Sequence, residues 1–141
     1  MEKIELLNFE PTSSAKIPFF QGSVSAGVPV SVDNPQQERI DLNEFLVDNP
    51  TKTFFAKIHG YEMSPYGIRD GDIAIVDSSL QLRDGNLVIT QVGEDLLLKI
   101  FRDVNGEKFL ESHNKTFLPL SIEPFMNFQP LGIVTKVIRP V

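Results

Sequence analysis

Apolar residues in this chain gather into short runs cut by glycine, asparagine, aspartate and proline. Thr53 to His59, Ile73 to Val76, Asn86 to Val92, Asp95 to Phe101, Lys108 to Glu111 and Phe128 to Ile138 are rich in branched and aromatic side chains. Their lengths suit strands better than helices. Gly93-Glu94 between two of these runs is a two-residue turn with glycine first, which favours a type II′ hairpin, and Asn105-Gly106 signals a second hairpin. The pattern predicts a mostly β, mostly antiparallel body, with Gly132 lying inside its last long strand.

The first thirty or so residues have no sustained period. Pro11, Thr12, Ser13, Ser14 and Pro18 interrupt them, and Gly22, Ser23, Ser25, Gly27 and Pro29 interrupt them again. Ile17, Phe19, Phe20 and Val24 are nonetheless anchors that a polar linker does not need, so the expectation is an extended arm, residues 1–32, that docks on something. Residues 33–141 then form the β-rich domain. At its start, Asp41 is placed to cap a short helix burying Leu42, Phe45 and Leu46, closed by Asn49-Pro50.

Between the runs at 53–59 and 73–76 lies a loop shaped like a site. It stops at Gly60, passes through Tyr61, Glu62, Met63, Ser64, Pro65, Tyr66 and Gly67, and re-enters a strand after Asp70-Gly71-Asp72. Those aspartates and Asp77 resemble a metal cluster on paper, yet Asp-Gly-Asp before a strand is ordinary turn chemistry. His59 and His113 are far apart and have no carboxylate or cysteine at ligand spacing, so no metal and no cofactor is expected. No glycine-rich phosphate loop is present.

Charge and composition narrow the classes further. A chain of 141 residues has the size of one domain. It has no cysteine, and 13 Lys and Arg face 19 Asp and Glu, a net charge of −6 with no basic run to neutralise phosphates. Direct nucleic-acid binding is therefore not expected. The acidic stretch 33–48 carries Asp33, Glu38, Asp41, Glu44 and Asp48 against Arg39 alone, and it is expected to be solvated surface. No stretch has the length of a membrane span, and the start, Met1-Glu2-Lys3-Ile4-Glu5, lacks the pattern of a signal peptide. A cytoplasmic location is the expectation.

The loop resembles the active-site segment of the LexA/UmuD family of Ser-Lys self-cleaving peptidases. That segment reads Gly-x-Ser-Met, then Gly-Ile-x-Asp-Gly-Asp and an apolar strand ending in Asp. Gly60, Met63, Gly67, Ile68, Asp70, Gly71, Asp72 and Asp77 fall in register with it, but Glu62 stands at the serine's place. The likeness runs from about Ile17 onward and includes Arg39-Ile40-Asp41-Leu42-Asn43. It implies a twisted β body of the LexA/UmuD C-terminal type with the arm attached. It also makes Ala26-Gly27 the bond that the family cuts. Small residues there suit a narrow cleft, because bulk would hold the carbonyl away from a nucleophile.

Lys99 falls in register with the family's catalytic lysine. Alternation over Asp95 to Phe101 puts Leu96, Leu98 and Ile100 on one face and Leu97, Lys99 and Phe101 on the other. Two roles fit the lysine from sequence. Its stem can pack at a sheet edge with the amine in water, or a desolvated amine can act as general base toward a serine. The resemblance favours the inward-pointing form.

Glu62 alters what such a site can do. A carboxylate attacking a carbonyl gives an anhydride, a poor intermediate for peptide hydrolysis. A carboxylate beside an amine also favours the ammonium, so the base would be lost with the nucleophile. The expectation is an ion pair of Glu62 with Lys99 in place of the dyad. Ser64 is the other candidate nucleophile, since in an extended segment it faces the same way as position 62. Whether the chain is an enzyme is thus left open between these readings.

The first thirty residues are too few and irregular for the helix-turn-helix that LexA-type repressors add, so the UmuD-like branch fits better. That resemblance implies a role in the SOS response as a homodimer meeting a RecA filament and a UmuC-type translesion polymerase. A binding protein with a lost peptidase site, a self-cleaving peptidase using Ser64 with Lys99, and an interaction module outside SOS are the three readings that follow.

Overall fold

The computed structural model describes residues 3–7, 14, 16–20, 37–112, 119–123 and 126–141. Residues 1–9 and 49–141 belong to one unit and residues 10–48 to another.

Among the described residues, the larger unit holds one antiparallel sheet of eight strands. In chain order these are β1 (Lys3–Leu7), β4 (Thr53–His59), β5 (Ile73–Asp77), β6 (Leu87–Val92), β7 (Asp95–Val104), β8 (Glu107–Glu111), β9 (Leu120–Ser121) and β10 (Phe128–Ile138), with β2 (Lys16–Phe20) and β3 (Gln37–Asp41) in the other unit. The spatial order is β1-β4-β5-β10-β6-β7-β8-β9. Five of the six expected runs agree with their strands to within a residue, and β7 extends three residues further, to Val104. Both hairpin turns also form as expected. Gly93 has φ 61 with no positive φ at Glu94, as type II′ requires, and Asn105 and Gly106 have φ 53 and 85, the type I′ signature.

Period-two alternation places the core on the two faces of this sheet. On β6 and β7, Ile89, Leu98 and Ile100 join Ala56, Ile58, Ala74 and Val76 in the larger cluster, while Val88 and Phe101 pack with Leu110 in the smaller one. Lys99 is therefore on the face of Phe101, as alternation requires. The long strand β10 lies between β5 and β6 and bends at two irregularities, one between Pro130 and Gly132 and one between Val134 and Lys136. At Gly132 a Cβ would stand 2.6 Å from Val76 Cγ1 and 3.1 Å from the Asp77 carbonyl oxygen, so the close approach of β10 to β5 needs glycine there.

In the smaller unit, β2 (Lys16–Phe20) pairs antiparallel with β3 (Gln37–Asp41), and α1 (Leu42–Leu46) follows. Asp41 is the N-cap, accepting from the Asn43 amide at 2.9 Å. The expected burial of this helix is overturned. Leu42 and Phe45 are exposed, Leu46 is half-buried, and only the following Val47 is fully covered. Five residues make little more than one turn, too short to turn a whole apolar face inward.

Candidate active site

The loop from Gly60 to Asp72 is built by backbone turns and pinned by two buried side chains. Gly60 leaves β4 with φ 109, and its amide donates to Asp70 Oδ1 at 2.8 Å. A 3-10 turn over Ser64–Tyr66 ends at Gly67 with φ 91, whose amide donates to the Ser64 carbonyl. Met63 and Ile68 drop into the larger core cluster, each contributing about 1.5–3 kcal/mol of burial. The Ile68 amide also closes on the Met63 carbonyl at 3.2 Å, and the Gly71 amide returns to the Ile58 carbonyl at 2.7 Å. Glu62, next to the Met63 anchor, is thereby fixed in direction.

Asp72 is the buried acceptor of the loop. It takes the Arg69 amide at 2.7 Å and two 2.6 Å hydrogen bonds from Arg139, which follows β10. The Arg139 bonds hold the Asp72 carboxyl below the usual carboxylate range, against the opposing effect of burial. Asp77, at the end of β5, accepts from Asn49 Nδ2 and from the amide and hydroxyl of Ser79. Burial pushes its carboxyl up, but these donors outweigh it and the net shift is downward. Each buried aspartate thus has a structural partner set. Among the described residues no group of three His, Asp or Glu side chains is placed to hold a metal.

The structure brings Glu62 and Lys99 together. Lys99 Nζ donates to Glu62 Oε2 at 3.2 Å and to Ser112 Oγ at 2.7 Å, with the Lys99 and Glu62 side chains 13% and 16% exposed. The strand that carries the lysine is not an edge, because β6 and β8 flank β7 on both sides. Ser64 is placed otherwise. It begins the 3-10 turn instead of continuing an extended segment, its side chain is exposed, and no hydrogen bond joins it to Lys99. Tyr61 is exposed, and His59 pairs with Glu5 at 3.0 Å. His113 and the bond Ala26-Gly27 lie outside the described residues.

Ser112 is the residue that sequence reasoning missed. A signal for it existed in the hairpin register. The Asn105-Gly106 turn sets Val104 opposite Glu107 and Ile100 opposite Glu111, so the next pair outward is Lys99 with Ser112. Beside Glu62 is a cavity of about 350 Å³, lined also by Lys3 and Ile4 of β1 and by residues 94–97.

Chemically, the cluster sets an amine donor within hydrogen-bond distance of a carboxylate and a hydroxyl. A Ser-Lys dyad needs a serine O–H aimed at an amine lone pair. Here the amine donates to the Glu62 carboxylate, which has no hydroxyl to be activated, and to the hydroxyl of Ser112, which follows the neighbouring strand β8.

Comparison with known proteins places the chain among relatives. The family profile described as Peptidase S24-like matches residues 18–138. The LexA repressor of Dechloromonas aromatica is 33% identical over 119 residues, covering 84% of this chain and 59% of the repressor. Protein MucA of Salmonella typhimurium is 30% identical over 94 residues, covering 64% of each chain. LexA repressor 1 of Pseudomonas syringae is 26% identical over 102 residues, 72% of this chain and 50% of the repressor. The chain spans between half and two thirds of the length of these relatives. With the profile matching most of its residues, the chain belongs to the Peptidase S24-like family.

Proposed function

We propose that this chain is a UmuD-like accessory protein of the SOS response that acts by binding and does not cut itself. Its partners are a second copy of the chain, a RecA filament and a UmuC-type translesion polymerase. The observation that carries this reading is the 3.2 Å contact of Lys99 Nζ with Glu62 Oε2 at the place where the resemblance puts nucleophile and base. The kinship with MucA and with LexA repressors supports the SOS setting. The arm then stays attached, or its Ala26-Gly27 bond is cut in trans by an active relative.

The test is the intact mass of the purified chain, held at raised pH and, separately, with RecA, ATP and single-stranded DNA. The expected mass is unchanged in both, with an active homologue cleaving as control. Glu62→Ser is expected to restore a cut at Ala26-Gly27. Loss of residues 1–26 from the unaltered chain would overturn the reading and point back to Ser64. Failure of the chain to retain either RecA filament or a UmuC-type polymerase in a pull-down would favour an interaction module outside SOS.

A further inference from the structure

The strand β1 has β4 as its one sheet partner among the described residues. It is at the sheet edge, and the chain between it and β4 passes through the separate unit of residues 10–48, so no short turn imposes its place. Of its five side chains only Ile4 is buried, at 8%, while Leu6 and Leu7 are 48% and 40% exposed. Glu5 adds one surface contact, to His59 Nε2 at 3.0 Å.

What holds β1 is mainly the backbone of β4. In an antiparallel pair, successive residues turn their N–H and C=O groups to opposite sides. The Ile58 amide donates to the Asp72 carbonyl at 2.9 Å and its carbonyl accepts from Gly71 at 2.7 Å, both on the β5 side. Lys57 and His59 therefore present their groups to β1, opposite Glu5 and Lys3. A sheet edge recognising an extended segment through main-chain bonds and one inward pocket is how strand-adding recognition works.

We propose that the outer edge of β4 is a strand-docking site and that residues 3–7 of this chain are its exchangeable occupant. The edge takes an extended antiparallel segment with an aliphatic side chain at the place of Ile4 and a carboxylate one residue later, facing His59. Ile4 belongs to the larger core cluster, which also contains Ile58 and Met63. Lys3 and Ile4 also wall the cavity beside Glu62, so exchange at this edge opens that cavity. This holds whether or not the peptidase site is active.

Two measurements on the full chain decide it. In the unaltered protein, amide hydrogen exchange is expected to be at least roughly tenfold faster at Lys57 and His59 than at Ile58, because release of β1 frees only the outer set. Equal rates at all three amides would overturn the proposal. In the second measurement, a fluorescent peptide of residues 1–9 is titrated onto the chain and onto its Ile4→Asp variant. The peptide is expected to bind the variant at least roughly tenfold more tightly, since the resident strand no longer competes, and a peptide with the same Ile4→Asp change is expected not to bind. Absence of binding to a folded variant, or equal binding to both chains, would overturn it. If the variant does not fold, the exchange measurement alone decides.

Discussion

Arg139 and Asp72 are joined by two hydrogen bonds of 2.6 Å, from Nε to Oδ1 and from Nη2 to Oδ2, across 67 residues of sequence. The same guanidinium donates to the Gly67 carbonyl at 2.7 Å. One planar side chain after β10 therefore ties both ends of the turn that follows Glu62. Lysine cannot reproduce this, since its point charge lacks the fork that meets two carboxylate oxygens at once.

Arg139→Leu leaves Asp72 buried with only the Arg69 amide as its partner. The expected loss is on the order of 2–4 kcal/mol, below the full cost of opening a wholly buried pair because Arg139 is itself about one third exposed. Urea unfolding measures it. Arg139→Lys is expected to fall between the two, and an unchanged midpoint in Arg139→Leu would show that the loop does not depend on the fork.

Asp72 and Asp77 both have carboxyls held below their ordinary range in the folded chain. Groups of this kind stabilise the fold above the unfolded carboxylate value, near pH 4, and lose that contribution as pH falls through the lower folded value. Stability from these two residues is expected to be level from pH 7 to about 5 and to decline below about 4. In Asp72→Asn the decline should be shallower. A decline of the same depth would assign it to other residues.

The Glu62 and Lys99 pair is mostly buried, so its members are interdependent. Lys99→Met alone is expected to cost about 3 kcal/mol by removing the ammonium from a mostly buried carboxylate, whereas Glu62→Leu together with Lys99→Met should return to within about 1 kcal/mol of the parent. A double-mutant cycle by denaturant unfolding tests this. Additive single losses would mean that the two side chains do not act as a pair in solution.

Gly132→Ala pushes a methyl group against Val76 and the Asp77 carbonyl. Overpacking of that kind costs about 1–3 kcal/mol. Val76→Ala in the same chain removes the atom at 2.6 Å and is expected to recover part of the loss relative to the sum of the two single changes. Strict additivity of the two would place the strain on the Asp77 backbone instead.

The strands bounded by strong turns were legible from residue pattern alone, because two faces of buried side chains enforce period two and the turns need glycine or asparagine. β1 was not, since a strand with one buried residue in five has no alternation to read. The apolar positions of α1 suggest a buried face, but its one turn leaves Leu42 and Phe45 at the surface. Of the site, Lys99's face followed from alternation. Its meeting with Glu62, 37 residues away, followed only from resemblance, since nothing local records which loop reaches which strand. Ser112 could have been found by counting outward from Asn105-Gly106.

The position of β10 between β5 and β6 bears on the order in which the chain acquires structure. Strands β4 and β5 can pair as they leave the ribosome, and so can β6, β7 and β8, since each group is sequential. The two groups share no ladder until residues 128–138 arrive and insert between them. A nascent chain therefore exposes two half-sheets with open inner edges, the surfaces most prone to wrong pairing. Arg139 follows directly on the strand that joins them, so the turn after Glu62 receives its clamp only once the halves have met.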